Sequence, residues 1–238
     1  MKLDILVLAA HPDDAELGCG GTILKHVAAG RKVGIADFTH GELGTRGTPQ
    51  TREQEAAESA KILGLSVREN LGLADGFFKN DQAHQLEVVK RIRKYQPEIV
   101  LCNAVYDRHP DHGRASNLAF EACFLSGLIK IETSFEGQAQ KAWRPKAVYH
   151  YIQSQFLEPS FVVDISDFWE KKMLAVRAFK SQFYDPSSKE PESYISNPAF
   201  LKMVEARAIE SGHGVGVKYA EGFISPRWIG VKSLFDLF

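Results

Sequence analysis

The stretch that decides the fold is LDILVLAAHPDDAELGCGG, residues 3–21. Its first eight residues form an unbroken apolar run apart from Asp4, too short for a helix and typical of a strand covered on both faces. From residue 15 the pattern changes to helical spacing and continues to about residue 29, so the segment reads as a strand, a polar turn and a helix. The turn holds His11, Pro12, Asp13 and Asp14. Two adjacent carboxylates repel each other, and each needs water or a partner, so packing alone gives no reason to place them at the end of a buried strand.

The same alternation recurs further along. KVGIADF (32–38), VRENLGL (67–73) and EIVLCNA (98–104) read as strands, and residues 51–63 and about 82–95 read as helices. A capping-box pattern at Thr51 and Gln54 opens the first of these helices, and Pro97 stops the second. A fourth helix is expected to begin near Asp111 or His112, carrying Leu118, Ala122, Leu125 and Ile129 on one face. Strands alternating with helices imply an α/β, Rossmann-like fold, with a mostly parallel sheet sandwiched by helices.

The second half is less regular. AVYHYI and SFVVDI suggest strands, SDFWEKKMLAVRAFKSQF an amphipathic helix capped by Ser166, and YDPSSKEPES a loop. From residue 212 on, loops and a last strand near 227–233 are expected to complete the active-site pocket. The glycines of GCGG (18–21) lack the spacing of a nucleotide loop, and tight helix-on-strand packing accounts for them.

With 238 residues, 44% of them hydrophobic, the chain is expected to form a single domain over 1–238. A formal charge of −1 gives no electrostatic reason to expect nucleic acid or an anionic membrane as partner. No run reaches the 18 or so apolar residues of a membrane span. The three cysteines, Cys19, Cys102 and Cys123, are far apart and form no CxxC pair. These features together predict a cytoplasmic protein.

In an open parallel sheet, ligands bind beyond the carboxyl ends of the strands. The turn after the first strand and YDRHPDHGR (106–114), which follows EIVLCNA, emerge on that one edge. His11, Asp14 and His112 would supply two imidazoles and one carboxylate, the ligand set of a catalytic zinc site with a position left for water. Asp13 would then be free to move protons. Spacing alone does not tell Asp13 from Asp14 in these roles, and plain helix capping by these residues is the competing explanation. A sugar- or nucleotide-binding module with an inert acidic cluster is the corresponding non-enzymatic alternative. His26, His40, His84, His150 and His213 belong to no pattern, although His40 and His213 sit where they could rim a pocket.

AHPDDAELGCGGT together with DRHPDH resembles the LmbE-like, or PIG-L, family of zinc-dependent N-acetylglucosamine deacetylases. Residues 39–78 and YAEGF (219–223) further resemble its bacillithiol-pathway branch, which deacetylates N-acetylglucosaminyl-malate. The resemblance implies His11, Asp14 and His112 as zinc ligands, Asp13 as general base and His109 as the group that stabilises the tetrahedral intermediate as an imidazolium. Asp111 beside His109 gives that ring a reason to stay protonated. Zn2+ is the implied cofactor, and Fe2+, Co2+ or Mn2+ suit the same donors.

A malate-bearing substrate calls for cations, and Arg46, Arg52 and Arg108 are the candidates. Tyr194 resembles a tyrosine that family members bring toward the active site. Other N-acetylglucosaminides, such as chitin fragments, or a thiol-sugar conjugate are the alternative substrates. The expected partners are this small molecule and, by resemblance, further copies of the chain in a trimer or hexamer.

Overall fold

The computed structural model describes residues 1–237. Strands β1 (Ile5–Ala9), β2 (Val33–Asp37), β3 (Val67–Asn70) and β4 (Ile99–Cys102) alternate with helices α1 (Asp14–Ala28), α2 (Pro49–Leu63), α3 (Gln82–Tyr95) and α4 (Pro110–Leu125). A two-stranded ribbon, β5 (Ser134–Phe135) and β6 (Gln138–Ala139), leads to β7 (Ala147–Tyr151) and β8 (Phe161–Asp164). Helices α5 (Trp169–Arg177) and α6 (Phe200–His213) and strand β9 (Ala220–Ile224) follow. The main sheet has seven strands in the order β3-β2-β1-β4-β7-β9-β8. Its first five are parallel, and β9 runs antiparallel to both neighbours.

The apolar run of β1 is explained by its two covered faces. Ile5, Val7 and Ala9 pack toward α1, while Leu6 and Leu8 pack toward α3 and α4. Each fully buried side chain of this kind contributes about 1.5–3 kcal/mol. α1 lies so close to the sheet that a Cβ on Gly18 would overlap the Tyr151 ring, and one on Gly21 would stand 2.7 Å from Ile165 Cβ. Close packing is therefore what GCGG serves.

α1 is also broken. Cys19 has φ −146° and ψ 21°, which interrupts the helical ladder. A buried ion pair from two later elements satisfies the freed backbone groups. Lys172 Nζ donates to Leu17 O (2.9 Å) and to Glu221 Oε1 (2.7 Å). The Glu221 carboxylate in turn accepts from Gly21 N (2.9 Å) and Thr22 N (2.7 Å).

Several local expectations are corrected. α2 starts earlier, because Pro49 suits the first helical position and Thr48 is the cap, its hydroxyl accepting from Thr51 N at 3.2 Å. Ser166 opens a 3-10 turn (Ser166–Phe168), since its hydroxyl is spent on Asp164 Oδ1 (2.7 Å), and α5 begins only at Trp169. Ile129 is 84% exposed, past the end of α4. The last strand lies at Ala220–Ile224, before the expected 227–233, and α6 was not anticipated.

Candidate active site

β1 and β4 are hydrogen-bonded neighbours, with Leu8 opposite Cys102, so the turns that leave their carboxyl ends meet. His11 and Asp14 come from the first turn, and His109 and His112 from the second. One ring nitrogen from each of His11, His109 and His112 falls within 4.8 Å of the others. The Asp14 carboxylate joins them, with Oδ1 at 3.1 Å from His112 Nε2 and Oδ2 at 3.5 Å from His11 Nδ1.

The opposite ring nitrogens face carboxylates. His11 Nε2 is 2.9 Å from Asp75 Oδ1 and 3.3 Å from Asp111 Oδ2, and His112 Nδ1 is 2.6 Å from Asp107 Oδ2. A carboxylate behind each imidazole is the usual support for a metal-ligating histidine, because it fixes the ring and raises its basicity. Asp14 is held equally firmly. Its Oδ2 accepts from His11 N (3.0 Å) and Asn103 Nδ2 (3.0 Å), and its Oδ1 accepts from Gln153 Nε2 (2.8 Å).

Charge follows from this crowding. Burial opposes ionisation of Asp14, but the His112 and His11 rings outweigh it and hold the carboxyl well below the usual range. For His112, burial is likewise outweighed by Asp14 and Asp107, and the ring is pushed up to about 9. The carboxylates thus demand positive charge at the centre, a demand a divalent cation meets without protonating the rings. Two imidazoles and one carboxylate with supported outer nitrogens fit such an ion.

Asp13 is set apart from this cluster by its backbone. Its φ of 113° lies in the left-handed region, disfavoured for a residue with a Cβ, and its carbonyl accepts from Leu17 N (3.0 Å) to start α1. Strain of this kind costs about 1–3 kcal/mol and gathers at functional sites. The side chain turns to Arg52, with Oδ2 at 3.1 Å from Nη2. Burial pushes the Asp13 carboxyl up to about 7, with Arg52 pulling it down and Asp14 adding to the rise.

Arg52 has a partner that the sequence did not suggest. The residue is 5% exposed, Nη1 donates to Gln182 Oε1 (2.8 Å), and Nη2 donates to Pro12 O as well as Asp13. It is a partner of Asp13, and it also lines the cavity into which the cluster opens, with an Nε that makes no hydrogen bond.

His109 caps α4, its Nδ1 accepting from Asp111 N at 3.3 Å. A nitrogen that accepts carries no proton, so the neutral ring has its proton on Nε2. Burial and the charges on His11 and His112 push the His109 imidazole down. The Asp111 carboxylate is engaged by His11, Gly76 N (2.8 Å) and Arg114 Nη1 (2.5 Å). Asp14 and Asp111 pull the His109 ring the other way and are outweighed, contrary to the expectation that Asp111 keeps it an imidazolium.

The cluster opens into a cavity of about 470 Å³, whose wall includes Arg46, Arg108, Tyr194, Phe200 and Met203. Neither His40 nor His213 is among the described residues lining it. The Arg46 side chain is 5% exposed, its Nε makes no hydrogen bond, and Glu190 Oε2 stands 3.6 Å away. Arg108 Cζ lies 4.1 Å from the Tyr194 ring centre, and the Tyr194 hydroxyl donates to Met203 Sδ (3.7 Å).

Sequence reasoning missed Asp75, Asp107, Asn103 and Gln153. Asp107 was visible five residues before His112, and Asp75 lay in the loop after β3, on the edge already under suspicion. Asn103 ends a buried strand on a polar residue, a signal of the same kind as the HPDD turn.

An α/β protein with imidazoles and carboxylates converging at the strand ends fits a metal-centred hydrolase. The profile of the family described as PIG-L: GlcNAc-PI de-N-acetylase matches residues 6–123. Diacetylchitobiose deacetylase of Thermococcus kodakarensis is 33% identical over 230 residues, covering 92% of this chain and 81% of that protein. The chain belongs to the PIG-L family of deacetylases. Among solved structures, the conserved protein TT1542 of Thermus thermophilus superposes with a TM-score of 0.85 at 38% identity, covering 97% of this chain and 98% of that one. N,N'-diacetylchitobiose deacetylase of Pyrococcus horikoshii, solved with its inhibitor, gives 0.79 at 27% identity, covering 98% and 88%.

Proposed function

We propose that this chain, as one deacetylase domain, hydrolyses the acetamide of an N-acetylglucosaminide and releases acetate. We further propose N-acetylglucosaminyl-L-malate, the bacillithiol precursor, as its substrate. The observation that carries the reaction is the convergence of His11, Asp14 and His112 beside the strained, buried Asp13. The malate reading is supported by Arg46 and Arg108 on the cavity wall.

His11, Asp14 and His112 would hold the ion, with Zn2+ the first choice. When bound, the ion supplies Lewis acidity to the acetamide carbonyl and acidifies water. Asp13, poised near neutral pH, takes a proton from the attacking water and returns it to the departing amine. Arg52 keeps that carboxylate aimed. The Nε2–H of a neutral His109 donates to the oxygen on which negative charge develops, a role that needs no imidazolium. Arg46 and Arg108 take the malate carboxylates. The three cysteines are free and buried, in keeping with a reducing, cytoplasmic setting, and among the described residues no helix is long and apolar enough to cross a membrane.

A second reading, diacetylchitobiose as substrate, is favoured by the names of two similar proteins. Acetate release from the malate glycoside and from diacetylchitobiose, measured side by side, decides between them. A higher kcat/KM for the malate glycoside is expected, and preference for the disaccharide would overturn the malate assignment.

A further inference from the structure

The irregular segment 184–198, between α5 and α6, touches both cations assigned above to the substrate. Tyr194 covers Arg108, with its ring centre 4.1 Å from Cζ. Glu190 reaches the glycine-rich loop before α2, where Oε1 accepts from Gly47 N at 2.9 Å and Oε2 stands 3.6 Å from Arg46 Nε.

Arg46 is the unusual member of this group. A guanidinium presents five N–H donors, and burying them without acceptors is costly. Here the side chain is 5% exposed, yet Nε makes no hydrogen bond. The Glu190 oxygen at 3.6 Å lies beyond hydrogen-bond range, and its side chain is 46% exposed. The pair is a loose one between a buried cation and an anion that has solvent to retreat into. Arg46 lines the cavity and Glu190 is not among the described residues that do, so a planar carboxylate entering from the cavity meets the guanidinium directly and can make the closer, two-point contact that Glu190 does not.

We propose that Glu190 is a specificity-determining residue: its carboxylate competes with a substrate carboxylate for Arg46, so an anionic substrate binds by displacing that pairing. This rests on the anionic-substrate reading above. The exchange leaves Arg46 with one carboxylate partner before and after, and no covalent bond changes. A neutral disaccharide gains nothing from the displacement and leaves Glu190 where it is.

Calorimetric titration of the folded protein with L-malate and with N,N'-diacetylchitobiose tests this in the wild type, Glu190→Gln and Arg46→Met. The amide introduced by Glu190→Gln keeps an acceptor for Gly47 N while removing the competing charge. Because partly exposed ion pairs are weak, Glu190→Gln is expected to bind L-malate about three- to five-fold more tightly, with disaccharide affinity unmoved. Unchanged or weaker malate binding overturns the proposal, and so does an equal gain for both ligands, which would make the segment a steric cover only. Arg46→Met separates the two levels. If it loses malate binding while Glu190→Gln gains none, the Glu190 proposal falls and the anionic reading stands. If wild type and Arg46→Met treat malate alike, the anionic reading falls, and the proposal with it.

Discussion

The two aspartates of the HPDD turn are adjacent in the chain and opposite in circumstance. Asp14 sits among imidazoles that favour its ionised form, while Asp13 is turned away by a left-handed backbone onto one guanidinium. Asn tolerates that backbone region, so Asp13→Asn keeps the turn while removing the proposed base. The variant is expected to retain its metal content, measured by elemental analysis, and to lose roughly a hundred- to ten-thousand-fold in kcat. Arg52→Met separates service to Asp13 from a direct contact with the substrate. If Arg52 serves Asp13, kcat falls for anionic and neutral substrates alike, and the ratio of their KM values stays put. A selective rise in KM for the malate glycoside would support the direct contact.

At the scale of elements, α1 is a helix in two pieces, pressed against the sheet through glycines and spliced by Lys172 and Glu221. Gly18→Ala drives a methyl into the Tyr151 ring and is expected to lower unfolding free energy by about 1–3 kcal/mol, read by urea denaturation. Lys172→Met leaves the Glu221 carboxylate buried without its cation, at a cost of about 3–5 kcal/mol, part of which Glu221→Gln in the same chain should recover.

These elements also mark where the sequence was legible. β1 to β4 and α1 to α4 were read within a few residues, because strands covered on both faces and helices with one apolar stripe have distinct periods. β9 was not, since its buried polar residue Glu221 is explained only by Lys172 and the backbone of α1, both remote in the chain. α6 escaped for a related reason: Arg207, which donates to Gln153 O and Ser154 O, and Tyr219, bonded to Glu205, show its purpose only through tertiary contacts. The site divides in the same way. Residues inside the two compact motifs were found, Asp107 excepted, but Asp75, Asn103 and Gln153 become site residues only when β3, β4 and β7 line up.

For the molecule as a whole, the supporting hydrogen bonds from Asp75, Asp107, Asn103 and Gln153 hold His11, Asp14 and His112, the proposed ligands, together through protein contacts. Chelation is therefore expected to leave the far-ultraviolet circular dichroism unchanged and to lower Tm without unfolding the protein. With the ion at a hundredfold its Kd, linkage gives about 2.7 kcal/mol, or a shift of about 5–10 °C that added Zn2+ reverses. Collapse of the spectrum on chelation would mean that the ion holds the fold. The pairing of β1 with β4 carries one more consequence, for synthesis. His11 and Asp14 leave the ribosome long before His112, and until β4 docks on β1 they are only two of the three proposed ligands. The nascent chain thus offers no closed trap for whichever metal is most abundant, and the choice of ion falls to the folded geometry.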